Sequence, residues 1–185
     1  MIRTAAILAV TSLVMLGCEY KSEKTMKAPD GSTSQTQLPV NPYYSRTDTT
    51  VLNLPDSAWK IVLPDSVYQV ARNKATEEAF TGKYYNYTGI GTYYCAACGN
   101  GLFRSDAKFG STCGWPSFFE TLGKNSVTYQ PDTSHGLKRT EVLCGRCGAH
   151  LGHLFDDGPP PTGKRYCMNS IVLDFSPDDH AGPGR

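Results

Sequence analysis

Beyond Phe80 the chain breaks into short aromatic and β-branched runs separated by glycines: Tyr84 to Tyr87, Thr92 to Tyr94, Ser126 to Tyr129, Thr140 to Leu143 and Ser170 to Phe175. Runs of this length, each bounded by turn-forming residues, predict the strands of a compact, mostly antiparallel β domain. Helical spacing is scarce. Leu63-Pro64-Asp65-Ser66 followed by Val67, Val70 and Ala71 predicts one short helix ahead of the strands, with Asp65 or Ser66 as its N-cap. The expected fold is mainly β, with antiparallel sheets and a short N-terminal helix, in one domain over residues 54–175.

The flanks lack such patterning. Residues 19–53 are rich in Ser, Thr, Gln, Lys and Pro. They show no sustained apolar period and cannot bury enough surface to offset the entropy of ordering, so a flexible polar tether is expected. Residues 176–185 hold two prolines and two glycines and are expected to be a loose tail. At the other end, Arg3 precedes an apolar stretch from Ala5 to Leu16, too short to span a bilayer comfortably. It closes on Met15-Leu16-Gly17-Cys18, which resembles a bacterial lipobox with methionine where leucine is usual. Residues 1–18 then read as a lipoprotein signal whose Cys18 becomes acylated, holding the exported protein by more than one chain on a bacterial cell-envelope membrane. The other reading is a plain signal peptide cut nearby, with Cys18 incidental.

Apolar residues make up 39% of the 185 and charged residues 19%, the balance of a folded domain rather than a disordered chain. A formal net charge of +1, with no basic stripe, gives nucleic acid no electrostatic footprint to follow.

Cysteine changes the picture most. Of the seven, setting aside Cys18 leaves six, and four of these form matching knuckles, Cys95-Ala96-Ala97-Cys98-Gly99 and Cys144-Gly145-Arg146-Cys147-Gly148. A Cys-x-x-Cys turn directs both sulfurs to one side, and a following glycine adopts positive φ without cost. Two such turns offer Cys95, Cys98, Cys144 and Cys147 as the closed tetrahedral set of a structural zinc. Three disulfides, or one knuckle acting as a thioredoxin-like redox pair, are the alternatives in an oxidising compartment. Against them stand a domain large enough for its own core, the pairing of the knuckles, and the lack of a βαβ context.

Cys113 and Cys167 lie outside that set, in Ser111-Thr112-Cys113-Gly114-Trp115-Pro116-Ser117-Phe118 and Lys164-Arg165-Tyr166-Cys167-Met168-Asn169. Arg165 stands where it can favour a thiolate. His150 and His153 follow the second knuckle. On a flat strand they would point to opposite faces, and a turn permitted by Gly152 would bring them together. Singly, each of these is a buried thiol or a satisfied imidazole; beside a zinc core they read as a thiol active site.

Residues from about Arg72 to Phe175 resemble the B-type methionine sulfoxide reductases. The matching stretches are Thr76-Glu77, Phe80-Thr81-Gly82, both knuckles, Leu102-Phe103-Arg104-Ser105, Lys108-Phe109, Cys113 to Phe118, Arg139 to Val142, Ala149 to His153, Asp157-Gly158-Pro159, Pro161-Thr162-Gly163, Arg165-Tyr166-Cys167 and Asn169-Ser170. The resemblance implies a β-rich fold with zinc on the two knuckles, away from the catalytic cleft. It implies reduction of the R epimer of methionine sulfoxide, free or in a polypeptide, without an organic cofactor. Carried across, Cys167 corresponds to the nucleophile and Cys113 to the recycling cysteine. His150, His153 and Asn169 correspond to the polar groups around the sulfoxide and Trp115 to the wall for the methyl group, with Phe118 and Arg165 further substrate-binding residues. Three departures are visible: Ala79 for proline, Gly110 for an acidic residue, and Thr112 for the glycine before Cys113. The last two change the loop that must carry Cys113 to Cys167.

The chemistry suits these residues. A sulfoxide sulfur is electrophilic, and its oxygen leaves only when protonated. A Cys167 thiolate would attack sulfur while His150 or His153 supplies the proton. The resulting sulfenic acid would be closed to a disulfide by Cys113, and a thioredoxin-like dithiol would reduce that disulfide. Repair of oxidised envelope proteins is the expected role. Two rivals are a non-catalytic zinc module binding a partner and a zinc hydrolase liganded by His150 and His153. The first leaves Cys113, Cys167 and both histidines unused; in the second the four thiolates already close the metal shell.

Overall fold

The computed structural model describes residues 40–178. The expected signal segment and Cys18, most of the expected tether and the last residues of the tail lie outside the described residues.

Two seven-residue helices open the domain, α1 over Asp56–Val62 and α2 over Asp65–Ala71. The sequence repeats its start signal, Leu54-Pro55-Asp56-Ser57 and then Leu63-Pro64-Asp65-Ser66, and each copy starts a helix. Only the second was anticipated, and the cap differs from expectation. The caps are Pro55 and Pro64, held extended, and the aspartates fall in the first turn, where their charge meets the positive helix end. α1 buries Trp59, and α2 buries Tyr68, Val70 and Ala71.

Nine strands follow among the described residues: β1 Gly91–Cys95, β2 Gly101–Arg104, β3 Lys108–Phe109, β4 Ser117–Phe118, β5 Val127–Asp132, β6 Arg139–Cys144, β7 His150–Phe155, β8 Arg165–Met168 and β9 Leu173–Pro177. All described pairings are antiparallel, in a three-stranded sheet β2-β1-β9 and a six-stranded sheet β3-β4-β8-β7-β6-β5. The mainly β, antiparallel class is as expected. Tyr84 to Tyr87 is not a strand: Tyr84 is buried edge-on to Tyr93 at 5.5 Å, and its backbone N–H donates to Ser170 Oγ (2.7 Å) in a turn segment. The run Ser170 to Phe175 splits into a 3-10 turn, Ser170–Val172, and the start of β9.

The core is aromatic where the sheets meet. Phe118 stacks on Phe103 with centroids 4.3 Å apart, and Tyr93 meets Phe118 edge-on at 5.0 Å. Phe118, expected among the substrate-binding residues, has no exposed surface and packs in the core.

The domain boundaries also move. Residues 40–53 pack on the domain, contrary to the expectation of a tether reaching Asn53. Ser45 N–H donates to the Cys98 carbonyl (3.0 Å), Leu52 N–H donates to the Arg146 carbonyl (2.7 Å), and Tyr43 lies edge-on to Trp59. Arg146, 3% exposed, answers from the second knuckle by donating to the carbonyls of Tyr43 (3.0 Å) and Thr50 (3.2 Å) and pairing with Asp48 (2.8 Å). A polar segment is held by backbone bonds to one buried guanidinium, an anchor that apolar periodicity does not register. At the far end β9 runs on to Pro177, and Asp178 takes two bonds from Arg104 (2.7 and 2.6 Å), so the tail cannot begin at Ser176.

Candidate active site

The two knuckles are the loops of the β1–β2 and β6–β7 hairpins, one in each sheet. Each closes in the same way: Gly99 N–H donates to the Cys95 carbonyl (2.7 Å) and Gly148 N–H to the Cys144 carbonyl (2.9 Å), with φ of +79° and +68° at the glycines. All four sulfurs are buried and lie within 4.8 Å of one another, with Cys95–Cys147 at 3.8 Å and Cys98–Cys144 at 3.6 Å. Tetrahedral zinc with bonds of about 2.3 Å sets its sulfurs about 3.8 Å apart, so the cluster fits a metal ion of that kind. A metal held here would tie one sheet to the other.

A separate cleft opens on the six-stranded sheet, lined by Thr76, Trp115, Arg139, Gly152, His153, Phe155, Cys167 and Asn169. Strand register builds it. On β8, Cys167 is flanked by Ser117 of β4 and His153 of β7. Gly152 is required beside it, because a Cβ there would sit 2.1 Å from the Cys167 carbonyl oxygen. Cys113, in the loop before β4, places its Sγ 3.1 Å from Cys167 Sγ, and both thiols are free. The departures at Gly110 and Thr112 therefore do not keep the two sulfurs apart.

The sulfurs differ in environment. Burial pushes the Cys167 thiol up, the neighbouring Cys113 raises it further, and Arg165 offsets part of this, leaving it at about 12. Burial also pushes Cys113 up, but hydrogen bonds with Ser111, Ser117 and Cys167 outweigh it and bring that thiol down to about 7. A negative charge on the pair is therefore favoured on the partly exposed Cys113 over Cys167.

The two histidines share a face, by a route other than the expected turn. Leu143 pairs with His150, Val142 with Gly152 and Glu141 with His153, so Leu151 is the extra residue of a bulge. The partners of the histidines are two apart and hence on one side of the sheet. The rings meet edge-on at 5.5 Å. His150 is 3% exposed, is not among the cleft-lining side chains and stands behind His153. Its Nδ1 is 2.7 Å from Glu141 Oε1, and burial lowers its pKa, so the ring is neutral at pH 7. His153 Nε2 is 2.7 Å from Asp132 Oδ2, which also takes a bond from Arg139 (2.7 Å).

Asn169 and Trp115 line the cleft and are held by backbone groups. Asn169 Nδ2 donates to the Leu151 carbonyl (3.1 Å), and its Oδ1 accepts from Glu77 N–H (3.0 Å). Trp115 Nε1 donates to the Glu77 carbonyl (3.2 Å). Arg165 is not among the lining side chains. It grips Asp157 through two bonds (2.8 and 2.9 Å) and lies 4.3 Å from the Phe155 ring centroid, acting on Cys167 by its field.

Sequence reasoning gave no role to Thr76, Arg139 and Phe155 in the cleft wall, to Glu141 and Asp132 behind the histidines, or to Glu77. A signal for Glu141 existed: a carboxylate inside the otherwise strand-forming run Thr140 to Leu143 needs a buried partner.

Comparison with known proteins agrees with this geometry. Residues 63–177 match the SelR domain family. The chain is 53% identical over 124 residues to the peptide methionine sulfoxide reductase MsrB of Thiobacillus denitrificans, covering 67% of this chain and 94% of that protein. It is 54% identical to the protein of the same name from Pseudomonas putida (66% and 92% covered) and 49% identical to that of Methanosarcina barkeri (70% and 91%).

Proposed function

Because the chain belongs to the SelR domain family, we propose that it reduces the R epimer of methionine sulfoxide, in polypeptides or free, with Cys167 as nucleophile and Cys113 as recycling cysteine. The observation that carries this reading is the pair of free thiols 3.1 Å apart in a cleft that Trp115 and His153 also line.

Transfer of the shared proton to Cys113 leaves the thiolate on Cys167, where the Arg165 field favours it. The thiolate attacks the sulfoxide sulfur. His153, opposite Cys167 and held by Asp132, protonates the oxygen; His150, fixed by Glu141, keeps its ring in place from behind. The oxygen passes to Cys167 as a sulfenic acid and methionine leaves. Cys113 attacks that sulfur, forming the disulfide and releasing water, and an external dithiol of the thioredoxin-like class returns both thiols. Trp115 offers the methyl group a flat face, with a sulfur–aromatic attraction of roughly 0.3–1.5 kcal/mol. Epimer choice follows when oxygen and methyl each have one compatible subsite.

The four-cysteine cluster is proposed to hold structural zinc. Supporting this are its all-thiol donors and the match of its sulfur spacing to a tetrahedron. Export and lipid anchoring through Cys18, with repair of oxidised envelope proteins, rest on the lipobox-like Met15 to Cys18.

The test is turnover of separated R and S methionine sulfoxide by the protein without residues 1–18, with dithiothreitol, beside Cys167→Ser. Reduction of the R epimer alone, lost in the variant, supports the reading. No turnover of either epimer by folded, metal-loaded protein sinks it.

A further inference from the structure

Ser117 is 1% exposed on β4, and its hydroxyl has no part in the mechanism above. Its Oγ lies 2.7 Å from Ser111 Oγ, and both hydroxyls face Cys113 Sγ, Ser111 at 3.0 Å and Ser117 at 3.4 Å. We propose that Ser111 and Ser117 form a short hydroxyl relay that holds the recycling sulfur of Cys113 as a thiolate, poised to close the disulfide. The inference rests on Cys113 being the recycling cysteine.

Counting hydrogens supports the relay. Two hydroxyls carry two hydrogens, and the 2.7 Å contact between the oxygens uses one. In the arrangement with the shorter contacts, Ser117 donates to Ser111, and Ser111 donates to sulfur at 3.0 Å. A hydroxyl whose oxygen already accepts a bond donates more strongly. A protonated thiol would turn its hydrogen to the Trp115 carbonyl at 3.4 Å, for which the Ser117 hydroxyl competes at 3.3 Å, or to the Ser111 oxygen with that hydroxyl turned away. The Ser111 hydroxyl at 3.0 Å is nearer to the sulfur than the Trp115 carbonyl at 3.4 Å, and with Ser117 donating to its oxygen its hydrogen is directed at the sulfur.

Other groups near this sulfur are few. From β8 come Cys167, 3.1 Å away, and Arg165, whose charge acts on both sulfurs. From the preceding loop, the Tyr85 hydroxyl donates to the Ser111 carbonyl (3.2 Å) and fixes the backbone that carries the relay. The low value of the Cys113 thiol, about 7, accords with this arrangement.

The advantage falls on one step. Cys113 gives up the proton it took from Cys167 and attacks the Cys167 sulfenic sulfur as the anion; the S–S bond forms, the S–O bond breaks, and the departing hydroxide leaves as water with that proton. That rate follows the thiolate fraction of the attacking sulfur. Ser111 and Ser117 would thus be positioning residues for recycling.

The test is the pH dependence of Cys113 alkylation by iodoacetamide, read at that site by mass spectrometry on metal-loaded protein. Cys167→Ala is the background, compared with the same chain carrying Ser111→Ala or Ser111→Thr. Ser111→Ala should raise the apparent pKa by about one unit, slowing alkylation below it about tenfold. Ser111→Thr, which keeps the hydroxyl, should restore most of the rate. An unchanged titration in Ser111→Ala, or a threonine variant that behaves like alanine, overturns the proposal. Alkylation needs no sulfoxide, so this outcome is independent of whether the chain reduces one.

Discussion

Glu141 is the buried charge on which the back of the cleft depends. It is 2% exposed and accepts bonds from Lys74 (2.8 Å), Gln130 (2.5 Å) and His150 (2.7 Å). In Glu141→Ala, Lys74 recovers water because its side chain is 54% exposed, so its loss counts for little. Gln130 and the buried imidazole lose a charged acceptor, each such bond being worth about 1.5–3 kcal/mol. The sum, roughly 3–6 kcal/mol, overlaps the usual cost of about 3–5 kcal/mol for breaking a buried pair from one side. With a urea slope of about 2 kcal/mol per molar, the unfolding midpoint should fall by about 2 M. A double-mutant cycle with His150→Ala separates the imidazole's share. If Glu141 and His150 act as a pair, removing both costs less than the sum of the single losses, with a coupling of about 2 kcal/mol. Coupling within about 0.5 kcal/mol of zero would refute the argument, since the acid would then be doing nothing for the ring.

Three further outcomes are expected. Phe118→Ala should cost about 3–5 kcal/mol in urea unfolding while leaving KM for the sulfoxide little changed, whereas Trp115→Ala should raise KM. A large KM effect from Phe118→Ala at unchanged stability would return it to the substrate site. Cys147→Ser should release the metal, read as loss of zinc by atomic emission together with a lowered melting temperature; a variant that keeps both would show that the cluster is not a metal site. Stability should fall as pH drops below 6.5, the ordinary histidine value. Burial holds His150 below that value in the fold, so the unfolded chain binds the proton first and gains from it. Urea midpoints flat from about pH 8 to about pH 5 would contradict this.

The four-cysteine cluster was legible because its signal is local. A Cys-x-x-Cys-Gly turn closes on itself, and two copies announce four ligands wherever the chain carries them. The repeated Leu-Pro-Asp-Ser starts are equally local, and the copy at Leu54 passed unread. Most strand runs were found from composition. Tyr84 to Tyr87 misled because aromatic content measures burial as well as strand preference, and here the aromatic residues pack from a turn.

Residue chemistry, by itself, determined that six cysteines divide into four metal-type thiols and two others, and which polar residues accompany those two. Register and burial decided the rest. A one-residue bulge at Leu151, absent from any alternation rule, put both histidines on one face and left His150 behind His153. Stacking against Phe103 took Phe118 into the core, and Arg146 drew residues 40–53 onto the domain. Which sulfur carries the charge depends on solvent and on the hydroxyls around Cys113. These are sums over neighbours distant in the chain, and only the folded arrangement brings those neighbours together.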